Sequence, residues 1–164
     1  MLKLLFICTH NRCRSILCEA LARHLGGNRI DAYSAGSQPS GLVHPDTLRH
    51  LQRHGIDTSG LRSESWDVYA NLAPDAVVTV CDSAAGEQCP LWLGQSAKVH
   101  WGLPDPSRIE GDDSAREDAF DAVIKTIERR LARILSHKTE HSSADALSGL
   151  LESIALEEPC HWYL

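Results

Sequence analysis

The residues best able to do chemistry lie in one stretch, Cys8-Thr9-His10-Asn11-Arg12-Cys13-Arg14-Ser15, where a cysteine and an arginine stand six positions apart. An apolar run of strand length, 2–7, leads into it and an apolar-periodic helix, 15–25, leads out. A loop that ends a strand and starts a helix presents free backbone N–H groups to an anion. Those groups, the helix dipole and the nearby arginines favour a thiolate, so Cys8 is expected to have a lowered pKa and to act as a nucleophile. The planar fork of Arg14 suits two oxygens of a tetrahedral oxyanion while Cys8 attacks its central atom. Ser15 is expected to donate its hydroxyl to the sulfur and keep it ionised. Thr9, His10, Asn11, Arg12, Cys13 and Arg14 then form the lining that holds the oxyanion. The pattern Cys-x5-Arg is weak alone, but it occurs once in this chain and falls at the strand-to-helix junction where the chemistry needs it.

Other elements must bring partners to that loop. Short apolar runs at 30–34, 75–80 and 97–101 read as strands, and 45–54 and 112–135 as helices, with a weaker helical segment at 63–72. Strands alternating with helices predict an α/β domain, an open four-stranded parallel sheet with helices on both faces. In such a sheet the loops at the carboxyl ends of the strands form the ligand crevice. Cys81, closing the run 75–80, and Asp105, beyond the run 97–101, are expected at the same edge as Cys8. Asp105 is there within reach of a bound oxyanion as a general acid. The catalytic domain is expected to span 1–136. Residues 137–164 read as a C-terminal extension, a polar loop followed by an amphipathic helix over 144–158 with Leu147, Leu150, Leu151 and Ile154 available for packing.

Composition sets the limits. The 164 residues suffice for a single core, and 43% hydrophobic with 23% charged residues is ordinary for a globular chain. No apolar run approaches the roughly 18 residues a membrane span needs, and the start lacks the features of a secretory signal, so a cytoplasmic protein is expected. A net charge of −6 argues against nucleic acid or anionic membrane as a partner, which makes any anion site local. Six cysteines without a C-x-x-C pair suggest neither a disulfide framework nor a structural zinc site.

Taken together, Cys8-x5-Arg14-Ser15, Asn11 and Cys13 within the loop, Ser34-Ala35-Gly36, the Gly55-Ile56-Asp57 turn with Ser59, and Asp105-Pro106 resemble the low-molecular-weight tyrosine phosphatases and the arsenate reductases built on the same fold. The resemblance covers about residues 2–135 and implies a general-acid role for Asp105. It also carries a potassium ion near the loop, for which Asn11, Glu19, Ser34 and Glu64 stand at the matching positions, with Glu64 where an aspartate is expected; no other metal is expected.

Two branches of that fold differ in how the cysteine adduct is cleared. A phosphocysteine is cleared by water, whereas a cysteine-arsenate adduct is cleared by a second thiol, which takes up the oxidation as a disulfide. Cys81 and Cys89 resemble the thiol pair of the thioredoxin-coupled arsenate reductases, as does His100-Trp101-Gly102 before Asp105-Pro106. Eight residues of intact helix would hold Cys81 and Cys89 about 12 Å apart, beyond the ~6.8 Å limit for a disulfide, so pairing requires the segment to loop out. Ser107-Arg108 after Asp-Pro, where phosphatases of the fold usually carry aromatic residues, favours arsenate reduction through Cys8, Cys81 and Cys89. Phosphate monoester hydrolysis is the alternative. A protein that only binds arsenic or a metal through Cys8, Cys13 and Cys81 would need neither Arg14, Ser15 nor Asp105. The expected partners are arsenate, or phosphate or sulfate in the same loop, and an external thiol reductant, thioredoxin or a glutaredoxin/glutathione system, with no tightly bound cofactor.

Overall fold

The computed structural model describes residues 1–81, 84, 86, 90 and 94–160; Cys89 lies outside the described residues. Four parallel strands, β1 (Leu2–Ile7), β2 (Ile30–Ala35), β3 (Ala76–Thr79) and β4 (Ala97–His100), form one sheet in the order β2-β1-β3-β4. In β1, Leu4 and Phe6 point to one face and Leu5 and Ile7 to the other, yet all four are buried. Burial of both parities is what a parallel sheet covered on both sides requires, and it explains the unbroken apolar run in the sequence.

The helices are α1 (Arg14–Gly26), α2 (Pro45–Arg53), α3 (Asp113–Leu135) and α4 (Ala144–Glu157). Local signals set their starts. Pro45 opens α2 behind His44, whose Nδ1 accepts from Asp46 N–H at 3.1 Å, and Asp112 caps α3 by accepting from Ala115 N–H at 2.9 Å. Along α3, Ala119, Phe120, Val123, Ile124, Ile127, Leu131 and Ile134 are buried at helical spacing, and this face packs on α1. The segment 63–72 departs from the helical expectation: only Trp66–Tyr69 form a short 3-10 turn. Its first residues are held extended, with Gly36 and Ser65 forming a parallel bridge, Gly36 N–H donating to Glu64 C=O and Trp66 N–H to Gly36 C=O. Tertiary pairing has overridden a weak local preference.

The strand order places the topological switch between β1 and β3, so the chain leaves these neighbouring strands toward opposite sides and opens a crevice at their carboxyl ends. Cys8 follows β1 and Cys81 follows β3 at that opening. The C-terminal helix α4 packs against the edge strand β4 and alongside α3, burying Leu147, Leu151 and Ile154. No helix among the described residues is long and apolar enough to cross a membrane.

Candidate active site

The stretch 8–14 is a loop turned inside out. Its carbonyls point outward into neighbouring segments: Thr9 C=O accepts from Gln38 N–H, His10 C=O from Ser40 N–H, Arg12 C=O from His44 N–H, and Cys13 C=O from Leu17 N–H. Ser63 and Thr47 hydroxyls donate to the His10 and Arg12 carbonyls. With the carbonyls so used, no N–H from His10 to Cys13 donates to a backbone carbonyl among the described residues. The His10 N–H faces the Cys8 sulfur. Asn11 makes the reversal at φ 45, a left-handed conformation that asparagine tolerates better than most residues. A loop at a helix start whose N–H groups from His10 to Cys13 have no backbone acceptor among the described residues is suited to a tetrahedral oxyanion.

Behind it, a buried network fixes the Asn11 side chain. Its Nδ2 donates to Ser15 Oγ at 2.8 Å and Ser34 Oγ at 3.0 Å, while its Oδ1 accepts from Glu64 N–H at 2.8 Å. Ser34 donates its hydroxyl to Glu19 Oε1 at 2.6 Å, Glu19 pairs with Arg23 at 2.9 Å, and Tyr69 OH donates to Glu64 at 2.9 Å. Burial raises the pKa of Glu19, opposed by Ser34 and Arg23. The four positions expected to surround potassium are thus gathered in space, but their oxygens are already engaged by Asn11, Ser34, Arg23, Arg62, Tyr69 and the Glu64 N–H. Ser15, expected to donate to Cys8, accepts from Asn11 instead, and no hydrogen bond joins it to the sulfur.

Arg14, the first residue of α1, reaches across the crevice. Its NH1 donates to Leu103 C=O at 3.1 Å, its NH2 lies 3.6 Å from Asp105, and its buried Nε has no partner among the described residues, a donor suited to a bound oxyanion. Asp105 caps the 3-10 turn Pro106–Arg108, accepting from Ser107 N–H at 3.0 Å and Ser107 hydroxyl at 2.6 Å, and pairs with Arg108 at 3.4 Å. It does the turn-capping task and faces Arg14 at once.

Cys81 sits against the nucleophile loop. Its sulfur accepts from Thr9 N–H and Ala84 N–H, both at 3.4 Å, and lies 3.6 Å from the Thr9 hydroxyl. Donation by Cys8 is the largest cause that pulls the Cys81 pKa down, with the Ala84 and Thr9 donors adding to it. The reverse holds at Cys8: donation to Cys81 and then burial raise its pKa, against the opposing charge of Arg14. The lowered pKa expected at Cys8 falls instead on Cys81, whose sulfur takes donors from Thr9 and Ala84, while the neighbouring Cys81 and burial push the Cys8 thiol up. The Thr9 N–H, expected to line the oxyanion, is spent on that sulfur. Cys13 and Cys18 are buried, and burial pushes both thiols up to about 12. His10 turns its ring toward Gln38 C=O rather than the loop interior.

The sequence gives no role to three contributors. Leu103 acts through a backbone carbonyl, which no side-chain pattern reports. Ser107 locks Asp105, a signal present in the Asp-Pro-Ser spelling of a capped turn. Gly36 packs so closely on the loop that a Cβ there would lie 2.5 Å from the Thr9 carbonyl oxygen.

The chain is similar to known proteins. The family model described as low molecular weight phosphotyrosine protein phosphatase matches residues 3–144. Arsenate reductases of Halalkalibacterium halodurans and Bacillus subtilis are 36% and 35% identical over 126 residues, covering 77% of this chain and 89% of each relative. Among solved structures, one described as an arsenate reductase in the phosphate binding state superposes with a TM-score of 0.68 at 29% identity, over 83% of this chain and 98% of that one. A Corynebacterium glutamicum thioredoxin-dependent arsenate reductase superposes with a TM-score of 0.62 at 28% identity, over 83% of this chain and 61% of that one. On the loop, the sheet and these matches, the chain belongs to the low molecular weight phosphotyrosine protein phosphatase family.

Proposed function

We propose that this chain is an enzyme that reduces arsenate to arsenite, on the branch of its family represented by the arsenate reductases. The observation that carries the reading is the Cys81 sulfur, seated against the nucleophile loop, where it accepts from Thr9 N–H, the residue after Cys8, at 3.4 Å. Hydrolysis of a phosphocysteine has no use for a thiol there.

The sequence of steps balances two thiols against one arsenic. Arsenate binds to the inward N–H groups and Arg14; the Cys8 sulfur attacks arsenic, and the oxygen that departs leaves as water with protons from Cys8 and Asp105. The Cys81 thiolate then attacks the Cys8 sulfur. The S–As bond breaks with its electron pair left on arsenic, arsenite departs, and a Cys8–Cys81 disulfide remains. Cys89 attacks Cys81, frees Cys8 and leaves Cys81–Cys89 as the oxidised pair. An external dithiol returns two electrons; thioredoxin is the reductant favoured by the thioredoxin-dependent relative. The first step requires Cys8 to give up its proton as it attacks, and the second is helped by Cys81, which is already inclined to the thiolate. Residues 1–136 form the catalytic domain and 137–164 an extension folded onto it, working in a reducing compartment such as the cytoplasm.

Three variants test the assignment, each offered arsenate with a thioredoxin system and, separately, p-nitrophenyl phosphate. Cys8→Ser should abolish both reactions. Cys81→Ser should abolish arsenite production while any aryl phosphate hydrolysis persists, and Asp105→Asn should slow both. Arsenite made by Cys81→Ser at the wild-type rate would overturn the relay, and a wild type that hydrolyses the ester but makes no arsenite would establish the phosphatase alternative.

A further inference from the structure

The extension beyond the family match ends in a set of contacts that lead back to the active site. Trp101, fully buried just after β4, donates its indole N–H to Leu151 C=O of α4 at 2.9 Å. Arg130, on α3 and only 3% exposed, donates from Nε to Glu158 C=O of the extension at 3.0 Å and from NH1 to Trp101 C=O at 3.2 Å, with its guanidinium 5.5 Å from the Trp101 ring. Each of these two buried polar side chains thus places a hydrogen bond on a carbonyl of the extension. Two residues on, Leu103 N–H donates to Val80 C=O, which fixes the backbone whose Leu103 carbonyl receives Arg14 at 3.1 Å. Asp105, 3.6 Å from Arg14, follows.

A buried cation held by carbonyls rather than by a carboxylate is an expensive way to pack a helix. Its two acceptors belong to the extension and to the strand end that leads to the acid loop, so the guanidinium ties one to the other. We infer that the C-terminal extension is a brace for the oxyanion site, with Arg130 and Trp101 as positioning residues that hold segment 101–105, and through it the orientation of Arg14. The inference rests on the anion-loop reading of residues 8–14, and it gives the extension a task in binding rather than in dimer contact.

The test reads anion binding without turnover. Inorganic phosphate is titrated into full-length reduced protein while the loop amides are followed by NMR, and thermal unfolding is measured in parallel. Arg130→Met should weaken phosphate binding about tenfold, within the range of coupling carried by packed networks. Trp101→Phe keeps an aromatic ring and removes the link to Leu151, so it should fold as the wild type does and weaken phosphate by a smaller factor in the same direction. Ser148→Ala removes a different contact of α4, the bond to Lys98 C=O, and should leave phosphate affinity unchanged. Unchanged affinity in Arg130→Met and Trp101→Phe, whatever their melting temperatures, would overturn the brace; so would an equal loss in Ser148→Ala, which would mark general loosening. A wild type whose loop ignores phosphate overturns the anion-loop reading together with the brace. Normal phosphate responses in a protein that produces no arsenite defeat only the reductase reading.

Discussion

Gly36 shows how narrowly the loop is built. A methyl group there would lie 2.5 Å from Thr9 C=O and 3.0 Å from Cys8 C=O, distances no side chain accepts, so the loop backbone must move. Gly36→Ala should therefore reduce turnover by about a hundredfold or more, the scale of an ångström of misplacement in an active site, with a normal circular dichroism spectrum; steady-state kinetics at near-wild-type rate would contradict it. The lowered pKa of Cys81 gives a second residue-scale expectation. Thiolate absorbance in the ultraviolet should be lost on acidifying the wild type through about pH 5, the range to which Cys81 is pulled, and Cys8→Ala should move that midpoint upward because the largest cause of the lowering is gone. A first thiolate that forms only near the ordinary thiol range, around pH 8.5, would refute it. At this scale side-chain type and spacing are enough to name Cys8, Arg14 and Cys81 as candidates, and the fold brings them to one crevice. The sequence does not report the bond from Asn11 to Ser15 or the donors around Cys81, because those depend on who donates to whom across the fold.

Helix α2 meets α3 through His50, which stacks on Phe120 with ring centroids 4.2 Å apart and 13° between planes. Its Nδ1 lies 3.5 Å from Arg53, and its buried Nε2 has no partner among the described residues. Burial, then the charges of Arg49 and Arg53, hold its pKa below the ordinary histidine value. The unfolded chain therefore takes up a proton at His50 before the folded one does. That contribution to stability is fully present above about pH 6.5 and is lost as pH falls toward the folded value, with a slope of at most about 1.4 kcal/mol per pH unit. His50→Leu should flatten the fall in unfolding free energy between pH 7 and 5, measured by urea denaturation; an unchanged slope would contradict it. Elements with strong caps and clean periodicity, such as α2 and α3, are legible in the sequence by those signals alone. The segment 63–72 is not, since its extended start is fixed by pairing with Gly36, a contact between residues about 30 positions apart.

At the scale of the molecule, the order β2-β1-β3-β4 does the assembling. It sets Cys8, Cys81 and Asp105, separated by as many as 97 positions in the chain, along one edge of a sheet, and only the parallel α/β pattern makes that edge foreseeable. The packing of α4 on β4 and α3 is visible in its apolar face, but its link to Trp101 and Arg130 is not, because backbone carbonyls leave no mark in a sequence. Leu151, fully buried where α4 crosses the sheet edge, should cost about 2–5 kcal/mol when cut to alanine, seen as a lower denaturation midpoint; a loss below about 1 kcal/mol would mean the extension is not docked. The relay itself is tested most directly in a single turnover: fully reduced protein is mixed with excess arsenate and no external reductant, arsenite is counted, and non-reduced peptides are mapped by mass spectrometry. One arsenite per chain with a Cys81–Cys89 disulfide is the expected result, and no arsenite with all thiols still reduced would contradict the account.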